Sequence, residues 1–157
     1  MARFVKLASI PGGKCHVSDP TNFEICVQEE LTYWQNQLAQ VKPDKPDLII
    51  TPECCDRPEN MLQKDRNSYY RVRGNRICDF FKEEAYKNCI NIAYSAIREM
   101  PDGTFRNSIQ FINRHGEIDG IYNKYMLVIE ENTMSNILYG RDIKAIKTDI
   151  GRVCGAI

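Results

Sequence analysis

An acidic and a basic side chain stand where apolar runs of the sequence end. Glu53 closes the run Asp47–Leu48–Ile49–Ile50–Thr51–Pro52. Lys124 ends a second run, between the aromatic residues Tyr122 and Tyr125, and the carboxylates Glu130 and Glu131 follow shortly after it. A carboxylate can take the proton of a weak nucleophile and later activate water. A lysine is a compact cation on a long stem, suited to a developing anion. The set reads as acid/base chemistry that still needs a nucleophile. Each residue also has an ordinary alternative. Glu53 could be a surface or helix-cap carboxylate, Lys124 a solvated lysine on a strand edge, and Glu130–Glu131 a solvated charge pair.

The elements that must position these residues can be read from periodicity. Arg106 to Lys124 reads as two strands joined by the turn Asn113–Arg114–His115–Gly116, where Gly116 supplies a positive φ. Asp47 to Thr51 is a short apolar run bounded by prolines, as in a strand covered on both faces. Arg3 to Ile10 reads as a first strand and Ile90 to Ile97 as another buried one. Thr21 to about Val41 is the clearest helix. Thr21 and Glu24 have capping-box spacing, and Phe23, Val27, Leu31, Trp34 and Leu38 form one apolar face. Asn75 caps a second helix with Ile77, Phe81, Ala85 and Cys89 on one face. Cys54 to Arg73 reads as a long polar loop. Arg57, Arg66, Tyr69 and Tyr70 are taken as part of its solvated surface, with lining of a substrate entrance as the alternative. Met100 to Gly103 is a turn, and Met126 to Tyr139 a loop with some helix. Ile143–Thr148 and Arg152–Ile157 read as two more strands about an Asp149–Ile150–Gly151 turn. The order predicts an α/β layer fold.

Composition narrows the partners. The 157 residues suffice for one domain with a core, and the formal net charge of zero gives no reason to expect nucleic acid or an anionic membrane. No run approaches the roughly 20 apolar residues of a membrane span, and the opening segment breaks at Pro11–Gly12–Gly13, too early for a signal peptide. Seven cysteines without a secretory signal read as reduced thiols of a cytoplasmic protein. No Cys-x-x-Cys pair suggests a zinc site, and neither metal nor cofactor is expected. Gly12–Gly13–Lys14 lacks the Walker spacing and reads as a plain loop. Cys54 and Cys55 read as small residues of a pocket wall, and His16 and His115 as surface residues.

Taken together, these residues resemble the nitrilase, or carbon–nitrogen hydrolase, superfamily. The resemblance lies in Leu48–Ile49–Ile50–Thr51–Pro52–Glu53, in the hairpin turn Asn113–Arg114–His115–Gly116, in Tyr122–Asn123–Lys124, and in the strand Gly151–Arg152–Val153–Cys154–Gly155–Ala156–Ile157. It implies an α-β-β-α sandwich, with residues 1–157 as the N-terminal part of one carbon–nitrogen hydrolase domain. It implies Glu53 as general base, Lys124 as anion stabiliser and Glu131 as the further glutamate, with no cofactor or metal. The nucleophilic cysteine is expected just beyond Ile157, so Cys154 is not expected to serve and this chain alone is expected to be inactive. The implied partner is a small amide, nitrile or carbamyl compound, and the implied state a homo-oligomer. Tyr125–Met126–Leu127 and Pro11 depart from common branches and leave the substrate open. The alternative is a non-catalytic protein that keeps the fold for assembly or ligand binding.

Overall fold

The computed structural model describes residues 4–157, so the expected strand start at Arg3 lies outside the described residues. Five strands form one sheet in the order β1 (Leu7–Ser9), β2 (Leu48–Ile50), β3 (Asn91–Glu99), β4 (Phe105–Ile112) and β5 (Ile118–Asn123). β1, β2 and β3 run parallel, and β3, β4 and β5 alternate antiparallel. The outgoing ends of β2 and β5 and the incoming end of β4 therefore share one edge of the sheet. The residues after β2 and β5 emerge there, as the sequence reading required of Glu53 and Lys124.

Alternation along the strands separates two faces. Ile49, Ile92, Tyr94 and Ile112 pack under the helices, whereas Leu48, Ala93, Phe111 and Tyr122 point the other way. The helix layer is α1 (Phe23–Val41), α2 (Arg66–Arg73) and α3 (Arg76–Asn88). Trp34 of α1 lies 5.3 Å from Phe81 of α3, and Phe81 lies 4.8 Å from Tyr94 of β3, centroid to centroid. These rings fasten both helices to the sheet, and burying one such side chain stabilises the fold by about 1.5–3 kcal/mol. The opposite face carries Ile146, Ile150 and Val153 from an antiparallel ribbon of β6 (Ile146–Thr148) and β7 (Gly151–Val153).

The hairpin forms where its turn chemistry dictates. Gly116 has φ 76°, its N–H donates to the Asn113 carbonyl at 2.9 Å, and an added Cβ would lie 2.8 Å from the Lys82 carbonyl oxygen. Three expectations need correction. The cap of α1 is Asn22, whose side chain accepts from the Ile25 N–H, while Thr21 is held by Asp19 instead of pairing with Glu24. Asn75 sits at the start of α3 but makes no side-chain cap, and Cys89 is exposed at its end. Cys54–Arg73 is not one long loop. It contains a 3-10 turn at Gln63–Asp65 and the helix α2, because Tyr69, Tyr70 and Arg73 give one side of that segment a buried face.

Candidate active site

The chain turns sharply just past β2. Cys54, a residue with a Cβ, has φ 49°, in a region that such residues rarely occupy. Strained turns of this kind persist where the surroundings hold them. Here the Cys55 N–H donates to the Ser95 carbonyl at 2.9 Å, and the Trp34 indole N–H donates to the Cys55 carbonyl at 3.0 Å. One residue on, Asp56 is fully buried, paired with the Arg73 guanidinium and accepting from the Tyr94 hydroxyl. The turn is thus tied to the core on its inner side, and Glu53 points outward from it.

Lys124 is delivered by the end of β5. Its N–H donates to the Asn107 carbonyl at 2.8 Å, and its own carbonyl accepts from Gly140 at 2.7 Å. A Cβ on Gly140 would fall 2.3 Å from the Asn123 carbonyl oxygen, so the chain passes here only as glycine. The Lys124 ammonium lies 2.7 Å from Glu53 Oε1 and 3.1 Å from Glu131 Oε2. Lys124 is 8% exposed, so the strand-edge alternative does not describe it. Glu131 sits in the first turn of α4 (Ile129–Ser135), the part of Met126–Tyr139 that is helical, and its Oε2 also accepts from the Val128 N–H at 3.0 Å. Glu130 is exposed beside it.

Sequence reasoning missed a fourth member, Asn107. Its side-chain amide donates at 2.7 Å to both Glu53 Oε1 and Glu131 Oε1. It lies opposite Lys124 across the β4–β5 pair, at the end of the sheet where both carboxylates arrive. The sequence carries no clear signal for it, since β4 is half polar and Asn107 stands between Arg106 and Ser108.

The electrostatics follow from these contacts. Burial alone would raise the Glu53 carboxyl, but hydrogen bonds from Lys124 and Asn107 outweigh it and hold Glu53 below the ordinary carboxylate value. Burial alone would lower the Lys124 ammonium, but hydrogen bonds to Glu53 and Glu131 hold it above the ordinary lysine value. At neutral pH the cluster is an ionised carboxylate, a protonated lysine and a bridging amide.

The cluster opens on a cavity of about 240 Å³. Cys54, Arg57, Arg66 and Tyr70 line it together with Lys14, so the sequence reading of Arg57 and Arg66 as solvated loop gives way to its alternative. Tyr69 is buried behind the wall and donates to the Asp56 carbonyl at 2.7 Å. Cys55 belongs to the core and does not face the cavity, whereas His16 and His115 are exposed. Cys154 is exposed on the β6–β7 side and does not line the cavity. Among the described residues no group of three or more His, Cys, Asp or Glu side chains is placed to hold a metal ion, and no helix is long and apolar enough to cross a membrane.

No protein-family model and no curated protein matches this sequence. Solved structures match its fold. A carbon–nitrogen hydrolase from Helicobacter pylori G27 aligns with TM-score 0.68 at 15% identity, covering 94% of this chain and 49% of that one. An amidase from Nesterenkonia sp. aligns with TM-score 0.70 at 15% identity, covering 88% and 49%. A branch 10 member of the nitrilase superfamily from Saccharomyces cerevisiae aligns with TM-score 0.69 at 18% identity, covering 94% and 53%. The chain spans about half the length of these structures. Its helix layer, five-stranded sheet and partly covered second face are the α/β architecture of the nitrilase, or carbon–nitrogen hydrolase, superfamily, over about half of such a chain.

Proposed function

We propose that Glu53, Lys124 and Glu131 are the acid/base part of a cysteine-dependent hydrolase of non-peptide C–N bonds, in amides, nitriles or carbamyl compounds. The observation that carries this reading is the shared contact of Lys124 with Glu53 and Glu131, bridged by Asn107, at the mouth of a cavity. Two carboxylates are spent on one lysine where one would neutralise it. Fixed geometry of that kind suits a preorganised site. The solved structures of the same fold add support by analogy, among them a mutant of the Nesterenkonia amidase in complex with acrylamide.

For an amide the steps are these. Glu53 takes the proton of a cysteine thiol, and the thiolate attacks the carbonyl carbon. The oxygen becomes an anion and takes a hydrogen bond from the Lys124 ammonium. As Lys124 turns to that oxygen, Glu53 loses a hydrogen-bond donor, its proton affinity rises, and it holds the proton it has accepted. Glu53 then gives this proton to the departing amine as the C–N bond breaks, leaving a thioester. Water attacks the thioester with Glu53 again as base, the C–S bond breaks, and the acid and the free thiol are released. Glu131 keeps Lys124 placed throughout.

The nucleophile in this proposal is a cysteine beyond Ile157 in the complete protein. Cys54 is the sulfur in the cavity wall, but it is buried, and burial pushes its thiol up to about 11, so little thiolate forms at neutral pH. The test is turnover of a panel of amides, nitriles and carbamyl compounds by the complete protein and its Glu53→Gln variant. The expected outcome is turnover of at least one class, abolished in the variant without loss of fold by circular dichroism. Comparable rates in wild type and variant would remove Glu53 from the mechanism.

A further inference from the structure

The cavity holds more positive charge than the acid/base cluster accounts for. Lys124 is matched by Glu53 and Glu131. Three further cations line the same cavity: Lys14 from the loop after β1, Arg57 from the turn after Glu53, and Arg66 from the start of α2. None of the three has a carboxylate within ion-pair distance among the described residues, and Glu130, on the exposed rim, reaches none of them. Four arginines elsewhere are matched, and what distinguishes Lys14, Arg57 and Arg66 is that all three line the cavity of the acid/base cluster. Arg71 pairs with Glu99, Arg73 with Asp56, Arg76 with Glu24, and Arg114 with Asp47 and Asp149.

The three are built into the wall. One Arg66 nitrogen donates to the Gln63 side chain, and Gln63 in turn donates to the Ser135 hydroxyl at 2.6 Å, which fixes the guanidinium from behind. Arg66 Nε is buried and has no hydrogen-bond partner among the described residues. Arg57 lies beside the buried Tyr70 hydroxyl. Burial, and after it the charge of Arg57, lowers the proton affinity of both Lys14 and Arg66. Half-buried cations that repel one another, without a counter-ion, cost free energy that a bound anion would offset.

We propose that Lys14, Arg57 and Arg66 form an anion subsite that takes a carboxylate of the substrate, so that the compound hydrolysed is a small amide with a carboxylate at its far end. This rests on the hydrolase reading and narrows its substrate class. Planar guanidinium groups match the two oxygens of a carboxylate, and Lys14 adds a point charge. The part of the cavity built by these residues, about 240 Å³, suits a short chain between the two ends. In this arrangement Lys124 and Glu53 meet the amide end while the three cations hold the acid end, which sets the direction in which the substrate enters.

The test compares glutaric acid monoamide with butyramide, which lacks the charge, on the complete protein. Binding is followed by calorimetry and turnover by release of ammonia. A hydrogen bond to a charged group contributes about 1.5–3 kcal/mol, so the expected preference for the charged amide is about 10- to 100-fold. It shrinks as salt is added. Arg57→Gln and Arg66→Gln are each expected to reduce the charged-to-neutral ratio by about tenfold. Equal binding of the two amides by the wild type would overturn the subsite without need of any variant. So would a ratio that survives in the folded double variant. Preferential binding of the monoamide without hydrolysis would leave the subsite standing and remove the hydrolase reading. Hydrolysis of both amides at equal rates would do the reverse.

Discussion

Glu53 and Asp56 lie three residues apart on one turn, and each is paired with a cation, yet the two pairs differ in setting. The Asp56 side chain is 0% exposed and closed in by Arg73, Tyr94 and the backbone around them. The Glu53 side chain is 45% exposed and faces a cavity with Lys124. A sealed pair cannot exchange its partner for water or substrate, so its contribution is to hold a shape. An open pair can release its cation to a developing anion at modest cost. The turn at Cys54 sorts the two: the inner carboxylate anchors the backbone, and the outer one keeps an open face toward the cavity.

The comparison is broken most forcefully on the sealed side. Arg73→Met leaves the Asp56 charge buried without its cation. The expected loss is about 3–5 kcal/mol, and at about 2–4 °C per kcal/mol the melting temperature falls by on the order of 10 °C. A melt within about 2 °C of wild type would show that Asp56 does not anchor the turn. The open side should respond in the other observable. Lys124→Ala is expected to lose about 2.7–4 kcal/mol of transition-state stabilisation, about 100- to 1000-fold in kcat, if Lys124 acts as an oxyanion-hole donor. Its melting temperature should fall by less than that of Arg73→Met, because Glu53 left behind is half-exposed and Glu131, though 14% exposed, keeps its hydrogen bonds from Asn107 and the Val128 N–H. Large unfolding with unchanged kcat would assign Lys124 to structure instead.

The same contrast explains what could be read from the residues alone. Helix α1, the β4–β5 hairpin and its glycine turn were legible because periodicity and turn chemistry are local. Helix α2 was not, because its buried face is Tyr69, Tyr70 and Arg73, with no aliphatic stripe to mark it. The N-cap of α1 was misassigned because Asp19 reaches Thr21 first and leaves the cap to Asn22. Glu53 and Lys124 could be picked out as residues at strand ends, and Glu131, in the first turn of α4, through a family resemblance. Asn107 could not, since its partners are 54 and 24 residues away and only the folded sheet brings them together. The cation group at Lys14, Arg57 and Arg66 escaped notice for the same reason, as two of its members sat in a segment that looked like solvated loop.

The smallest expected effect sharpens the comparison by adding a third carboxylate. Glu30 of α1 is 0% exposed, and neither of its oxygens has a hydrogen-bond partner among the described residues. Burial, and then the nearby charge of Asp56, raises its carboxyl from 4.5 to about 9. Glu30 is therefore protonated at neutral pH, unlike Asp56 with its arginine and Glu53 with its lysine. The sign of the effect follows by linkage. Above 4.5 the unfolded chain releases the Glu30 proton while the folded protein keeps it, so this residue lowers stability progressively as pH rises from about 4.5 to about 9. Glu30→Gln removes the titration and keeps the shape of the neutral acid. The variant should match wild type near pH 4.5 and exceed it by on the order of 2 kcal/mol at pH 6, a rise of about 4–8 °C in melting temperature. Denaturant unfolding of both proteins across that range measures the difference directly. A gap that stays constant with pH would mean that Glu30 is ionised inside the fold, and that a cation reaches it in solution as Arg73 reaches Asp56.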